Sequence, residues 1–167
     1  MGIQLKSIFT KTNTSMLAIY LLLSLFILSQ SYLNQDGYVS SDSAHYLQMA
    51  LNLLHGNGMT TPSYVPDIST YFATWPVGYP VLIAGISFLT GISVFWASKL
   101  VNLIMLGLSF VLIKRLFKAR APVVVMIFFI STFTVDFSYT WSEVPFFFGM
   151  IWRFTLWKPN SISTASI

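Results

Sequence analysis

A short apolar segment in the middle of the chain decides how the rest is predicted to fold. It reads Pro80-Val-Leu-Ile-Ala-Gly-Ile-Ser-Phe-Leu-Thr-Gly91, and its apolar run is only about a dozen residues long. A helix needs about 20 apolar residues to cross the hydrocarbon core of a bilayer, whereas runs of roughly 10 to 14 residues are usually interfacial, re-entrant or buried. The length therefore predicts a helix that lies on the surface of a membrane and does not cross it.

The basic residues beyond this segment support the same interpretation. The long apolar run at 92–113 is followed by four bases, Lys114, Arg115, Lys118 and Arg120. Cytoplasmic ends of membrane spans are enriched in lysine and arginine. If the segment from Pro80 crossed inward, the 92–113 run would cross outward and leave these bases outside. A surface helix instead lets that run cross inward and brings them to the cytoplasm.

The composition indicates an integral membrane protein. The 167 residues are 55% hydrophobic and only 8% charged, whereas a soluble domain carries about 25% charged residues. The net charge of +4 does not indicate nucleic-acid binding, because the bases lie at the ends of apolar runs and form no patch along one face. The chain has no cysteine, which excludes a disulfide framework, and its two histidines make only a weak metal site.

We expect an all-α membrane protein with three to four transmembrane helices and juxtamembrane helices in its first outer loop. Bases precede the first run, so residues 1–15 are expected in the cytoplasm. A retained anchor is favoured over a cleaved signal peptide, because the run is long and Ser29-Gln-Ser31 is a poor cleavage site. The predicted spans lie near 16–33, 92–113 and 122–139, with an outer loop at 34–91, an incomplete fourth run at 144–157 and an unstructured tail at 158–167.

The outer loop is expected to carry the chemistry. No lysine or arginine occurs between Lys11 and Lys99, yet Asp36, Asp42 and Asp67 fall in that interval. Apolar residues at helical spacing predict a helix over 42–54. Its start is expected to be capped by Ser41 or Asp42 and its end to be formed by Gly56. Residues 59–74 are rich in proline, serine and threonine and predict an irregular loop.

Three acids are expected on the outer side: Asp42 at a helix start, Asp136 near the end of a span, and Glu143 at the start of the next run. An ionised carboxylate there could accept a hydroxyl proton or bind a divalent cation. The structural alternatives stay open, since Asp42 also suits an N-cap and Glu143 also suits a helix start.

Four other side chains on or near the outer side each allow two interpretations. His45 lies one turn from Asp42 and could face the same way or face solvent. Trp75 and Tyr79 could stack on sugars or belong to an interfacial aromatic belt. Lys99 lies about two turns into its span and is expected to reach the surface or to pair with an acid.

Taken together, the motifs resemble one family of membrane enzymes. They are Asp42-Ser-x-x-Tyr46-Leu, then Gly56-x-Gly58, then Trp75-Pro-x-Gly-Tyr79-Pro, and finally Ser142-Glu-Val-Pro-Phe146. This pattern resembles the N-terminal part of GT-C superfamily glycosyltransferases that use polyprenyl-phosphate sugars, related to protein mannosyltransferases and aminoarabinose transferases. The resemblance implies transfer of a sugar from a polyprenyl-phosphate carrier to an acceptor outside the cytoplasmic membrane.

The resemblance also implies roles for single residues. Asp42 and Glu143 match the two outer acids of the family and are the expected catalytic residues. The expected substrate-binding residues are His45, Tyr46, Trp75, Tyr79 and Lys99. No metal ligands are assigned, and a divalent cation is left open as a cofactor. The resemblance covers about a third of a typical member, so the chain alone is expected to be inactive or to need a complementing chain. A non-catalytic small membrane protein or assembly subunit is the alternative.

Overall fold

The structure is a computed structural model that describes residues 11–34, 36–62, 69–71 and 75–157. The predictions made for residues 1–10, for Asp67 and for the tail at 158–167 lie outside the described residues. The helices and strands are α1 (Lys11–Leu33), α2 (Ser41–Leu54), β1 (Thr60–Pro62), β2 (Ser69–Tyr71), α3 (Gly78–Thr90), α4 (Val94–Phe117), α5 (Ala121–Val124), α6 (Ser131–Ser138) and α7 (Glu143–Leu156). Turns of 3-10 helix occupy Lys118–Arg120 and Val125–Phe129.

Among the residues that the structure describes, two helices are long and apolar enough to cross a membrane. They are α1, with 23 residues, and α4, with 24. At about 1.5 Å per residue each extends roughly 35 Å, somewhat more than the hydrocarbon core of a bilayer. The helix α1 contains the run predicted at 16–33, and α4 contains the run predicted at 92–113 except for its first two residues. Large apolar side chains on α1, such as Leu21, Leu22 and Leu25, are exposed, as expected of a helix whose outer face meets lipid.

The helices α1 and α4 pack against each other in antiparallel directions. The hydroxyl of Tyr20 donates to the backbone carbonyl of Leu103 at 3.2 Å. A Cβ at Gly107 would lie 3.3 Å from the Tyr20 ring, so the missing side chain allows the close approach. Near the other end of the contact, the Lys114 ammonium donates to the side-chain carbonyl of Asn13. The start of α1 therefore lies beside the end of α4.

The third predicted span, 122–139, is not a single helix. Lys118 adopts φ 51° and ψ −117°, which reverses the chain after α4. The return consists of α5, a 3-10 turn, an extended Ile130 and α6. It runs back along α4: the Phe128 ring lies 5.5 Å from that of Phe110, and the Phe137 carbonyl meets Asn102. Pro122 and the β-branched residues that follow it favour continuous helix poorly.

The segment between α1 and α4 forms a small layer of α2, a hairpin and α3. The prediction of irregular loop at 59–74 is corrected in part, because β1 and β2 pair antiparallel with Thr60 opposite Tyr71. The helix α3 has 13 residues and ends at Gly91, whose φ of 73° suits glycine. Its length agrees with the short helix predicted there. A buried cluster joins α2, α3 and α4 and consists of Tyr46, Met49, Ala50, Tyr79, Ile83, Ala84, Ala97 and Val101.

Except for the buried Lys99 near the start of α4, the charged residues of the described ranges divide by sign between the two ends of the bundle. One end holds the start of α4, the small layer and the acids Asp36, Asp42, Asp136 and Glu143. The opposite end holds the start of α1, the end of α4 and the bases Lys11, Lys114, Arg115, Lys118 and Arg120. We call these the acidic end and the basic end.

Candidate functional site

Two hydrogen bonds hold the start of α2 against the start of α7. The Tyr46 hydroxyl donates to the Ser142 hydroxyl oxygen at 2.8 Å, across 96 positions of sequence. The indole N–H of Trp141 donates to the Ser40 hydroxyl oxygen at 2.7 Å. The first turn of α2, which carries Asp42, is thereby tied to the residues just before Glu143.

The N-cap of α2 is Ser40, not Ser41 or Asp42. Ser40 has extended backbone angles, and its hydroxyl oxygen accepts the amide of Ser43 at 3.2 Å. Asp42 sits in the first turn instead, half-buried, where its charge complements the helix dipole. Because Ser40 does the capping, the carboxylate of Asp42 is not engaged as a cap.

The charges of Asp42 and Glu143 both affect the pKa of the Tyr46 phenol. Burial raises the pKa of Tyr46, the hydrogen bond with Ser142 lowers it, and the charges of Glu143 and Asp42 raise it further. Burial likewise raises the pKa of Tyr79, against the effect of its hydrogen bond to Asn102. Both phenols therefore stay protonated and act as donors at neutral pH. The charges of both acids therefore act on one side chain, that of Tyr46.

Asn102 connects three elements behind this site. Its side chain is fully buried and accepts a hydrogen bond from the Tyr79 hydroxyl at 2.7 Å. Its amide group donates to the carbonyls of Phe137 at 2.9 Å and Tyr139 at 2.8 Å. The Tyr79 ring in turn meets the Tyr46 ring edge-on, with 5.4 Å between centroids. Asn102 thus fixes α3 and the end of α6 against α4.

Lys99 lies one turn before Asn102 and has a different environment from the one predicted. It is fully buried, so it does not reach the surface. It pairs with no acid within the described ranges. Its ammonium donates to the carbonyl of Ser138 and, at 3.4 Å, to the Thr140 hydroxyl, and lies 4.8 Å from the centre of the Phe95 ring. Because Ser138 ends α6, the cation meets the negative end of that helix dipole.

An open groove of about 800 Å³ lies between the starts of α3 and α7. It is lined by Pro76, Gly78, Tyr79, Leu82, Ser142, Glu143, Pro145 and Phe146. The helices α3 and α7 both begin here, at Gly78 and Glu143, and no described side chain caps either start. Both carry proline at their third position, Pro80 and Pro145, so the free amides at each start come from the first two residues.

The predicted site residues are only partly brought together. Glu143 and Tyr79 line the groove, and Tyr46 adjoins it through its hydrogen bond to Ser142. Asp42 lies one turn before Tyr46 on α2, and its charge raises the pKa of that phenol. Trp75 packs at the edge of the cluster that joins α2 and α3. His45 is half-buried on α2, and Lys99 lies behind the connection between α6 and α7, away from the groove lining.

Sequence reasoning did not identify Ser40, Asn102, Thr140, Trp141 or Ser142 as site residues. A signal for part of the network is present in α4, where Ser98, Lys99 and Asn102 fall within one turn of an otherwise apolar helix. Polar residues at such positions usually face a protein interior and bond to a neighbour. The partner residues themselves carry no local signal.

Across residues 11–34, 36–62, 69–71 and 75–157, no three histidine, aspartate or glutamate side chains form a group able to hold a metal ion. Comparison with protein-family models, curated proteins and solved structures gives no match. Function is therefore inferred from the side chains at this site and from the resemblance of the loop motifs.

Proposed function

We propose that the chain forms part of a membrane glycosyltransferase that moves a sugar from a polyprenyl-phosphate carrier to an acceptor on the extracytoplasmic side. In this proposal the acidic end faces away from the cytoplasm and the basic end faces toward it, in line with the enrichment of bases at cytoplasmic ends of spans. The 122–139 segment then returns outward as a broken helix.

The observation that carries the proposal is the hydrogen bond between Tyr46 and Ser142. It joins the first and the last of the motifs that carry the family resemblance, although 96 positions of sequence separate the two residues. A merely structural role for each acid at its own helix start would not require the two starts to meet. Their meeting beside a groove supports a shared site for Asp42 and Glu143.

The groove suits a lipid-linked donor. Its walls include Leu82, Pro145 and Phe146, which offer an apolar surface to a polyprenyl chain. The uncapped starts of α3 and α7 both meet there. Free amides and the positive end of the helix dipole make a helix start a binding site for phosphate. Two such starts supply the partners that an anionic carrier needs without a lysine in the groove lining.

Asp42 and Glu143 then have different roles in the transfer reaction. Asp42 takes the proton of the acceptor hydroxyl as that oxygen forms a bond to the anomeric carbon. The bond between the anomeric carbon and the phosphate oxygen breaks, and its electron pair leaves with the polyprenyl phosphate. Glu143 stabilises the positive charge that develops on the sugar in the transition state. Tyr46 and Ser142 hold the two acids in register.

Photo-crosslinking in lipid nanodiscs tests the donor site. A diazirine-bearing polyprenyl phosphate is expected to label peptides 76–82 and 142–146. Unlabelled polyprenyl phosphate should displace the probe, whereas phosphatidylglycerol at the same concentration should not. Leu82→Glu places a charge in the apolar wall and is expected to reduce labelling severalfold. Labelling that is spread along the chain, or that phosphatidylglycerol displaces equally well, would contradict a polyprenyl site.

Sugar transfer from the polyprenyl-phosphate sugar tests the acids, measured in native membranes where any complementing chain is also present. Asp42→Asn and Glu143→Gln are expected to abolish transfer while leaving probe labelling intact. Asp36→Asn is the matched control, because Asp36 is exposed in the same loop and lies outside the site. Transfer that survives both site variants would refute the assignment of the acids and favour a non-catalytic membrane subunit.

A further inference from the structure

A second groove lies at the opposite end of the bundle, between α1 and α4. It has a volume of about 390 Å³. Its walls are formed by Leu17, Tyr20, Gly107 and Val111, and Asn13 and Lys114 are its polar lining residues. It is separate from the groove at the starts of α3 and α7, and nothing in the proposed glycosyl transfer uses it.

The groove runs along the place where a tyrosine of α1 approaches a glycine of α4. Gly107 lets the Tyr20 ring lie directly against the α4 backbone, since a Cβ at this position would lie 3.3 Å from the ring. The groove is a slot lined by these two residues and by the apolar side chains next to them. Leu17 and Val111 are exposed along this slot. Gly107 and Lys114 are seven residues apart on α4, about 10 Å along the helix axis. The slot thus runs lengthwise in the direction that an acyl chain takes in a bilayer.

The polar end of the groove carries positive charge. The half-buried Lys114 donates to the Asn13 side chain, which holds its ammonium at the mouth of the slot. Arg115, Lys118 and Arg120 are exposed at the same end of the bundle. Basic pockets between membrane helices on the cytoplasmic side bind anionic lipid headgroups. A larger groove of about 620 Å³ near the end of α7 has only apolar lining residues and offers no such partner.

We propose that the groove between α1 and α4 binds an anionic phospholipid, with an acyl chain along Tyr20 and Gly107 and the headgroup phosphate at Lys114. The apolar slot alone would accept any lipid, so the selectivity for negative charge comes from Lys114 and from the basic end around it. Bound lipid fills the groove between the two long helices and contacts both of them. This site is independent of the proposed function.

Lipid binding to the purified protein in detergent, measured by native mass spectrometry, tests the site. Phosphatidylglycerol is expected to bind in preference to phosphatidylcholine with the same acyl chains. Lys114→Gln should weaken phosphatidylglycerol binding about tenfold, the loss expected for one charge-assisted contact. Lys114→Arg should retain binding. Arg115→Gln is the matched control, because it removes the same charge from the neighbouring position outside the groove lining, and it should change affinity less than about twofold.

Two results would overturn the proposal. Equal weakening by Lys114→Gln and Arg115→Gln would show that lipids respond to the general positive charge of this end and not to the groove. Thermal stabilisation of the protein by inorganic phosphate, equal to that by phosphatidylglycerol, would show an anion site that needs no acyl chain. Circular dichroism of each variant confirms that its helices are intact before binding is compared.

Discussion

Replacing Asn102 with leucine should destabilise the acidic end of the bundle more than any other single change of a polar residue in α4. The substitution keeps a similar volume but removes the hydrogen bonds to Tyr79, Phe137 and Tyr139. Each buried hydrogen bond contributes about 1 kcal/mol, and bonds between membrane helices average about 0.6 kcal/mol. We therefore expect a loss of about 2 to 3 kcal/mol in the free energy of unfolding.

Two control variants show whether the loss comes from all three hydrogen bonds of Asn102. One removes a single bond of the three, and the other removes a buried hydroxyl that bonds only within α4. Tyr79→Phe removes one of the three hydrogen bonds and keeps the ring, so it should cost about 1 kcal/mol. Ser109→Ala removes a buried hydroxyl from the same helix, but that hydroxyl bonds only to the carbonyl of Met105 one turn earlier. Its loss breaks no link between elements and should cost about 0.5 kcal/mol or less.

Unfolding in detergent, followed by far-ultraviolet circular dichroism, gives the free energies. Hydrogen exchange supplies the local readout, since Asn102→Leu should speed exchange of the amides from Tyr139 to Glu143. A loss for Asn102→Leu no larger than that for Ser109→Ala, with unchanged exchange at Tyr139, would refute the idea that Asn102 anchors this connection.

Three further predictions concern individual residues, and the same unfolding measurement checks each of them. Lys99→Met should leave stability within about 1 kcal/mol of the parent, because replacing a buried charge by an apolar side chain removes its desolvation cost along with its hydrogen bonds; a loss above about 3 kcal/mol would contradict this. Tyr46→Phe should cost about 1 kcal/mol and broaden the distance distribution between spin labels at positions 42 and 143, and an unchanged distribution would show that the phenol does not join the two helices. Gly91→Ala should lower the free energy of unfolding by about 1 kcal/mol, because Gly91 has a positive φ. Gly85→Ala, inside α3 with no neighbour near the added Cβ, should raise it by up to about 1 kcal/mol. The opposite order would contradict the backbone conformation of these two glycines.

The parts of the fold that sequence predicts well are those set by local composition. The lengths of α1 and α4 follow from their apolar runs, and Pro80 and Gly91 limit α3 to a length that cannot span. The separation of acids from bases along the chain also survives folding, because antiparallel packing of α1 and α4 brings both basic segments to one end.

The parts of the fold that the sequence predicts poorly depend on contacts between residues far apart in the chain. The strands β1 and β2 have three residues each and pair across a connection with no alternating pattern. The broken return at 122–139 is as apolar as a span, and only the reversal at Lys118 and the extended Ile130 reveal where it divides. The N-cap of α2 is Ser40, which lies one or two residues before the predicted positions. Its hydroxyl oxygen also accepts a hydrogen bond from Trp141, 101 residues later in the sequence.

The candidate site shows the same division. The acids Asp42 and Glu143 stand out in sequence because charge is rare in this chain, and their motifs suggest an enzyme family. Which side chains hold them together could not be predicted, since Tyr46 and Ser142 meet only after α2 and α7 have packed on α4. The same holds for Lys99, whose partner is a backbone carbonyl at the end of α6 and not an acid.

In the proposed topology, Asp42 and Glu143 face the same side of the membrane, opposite the bases at the end of α4. The chain contains no cysteine, so single substitutions Asp42→Cys, Glu143→Cys and Arg115→Cys give clean sites for a membrane-impermeant maleimide in oriented vesicles. We expect positions 42 and 143 to be labelled from one side only and position 115 only from the other. Labelling of positions 42 and 143 from opposite sides would contradict both the shared site and the proposed glycosyl transfer.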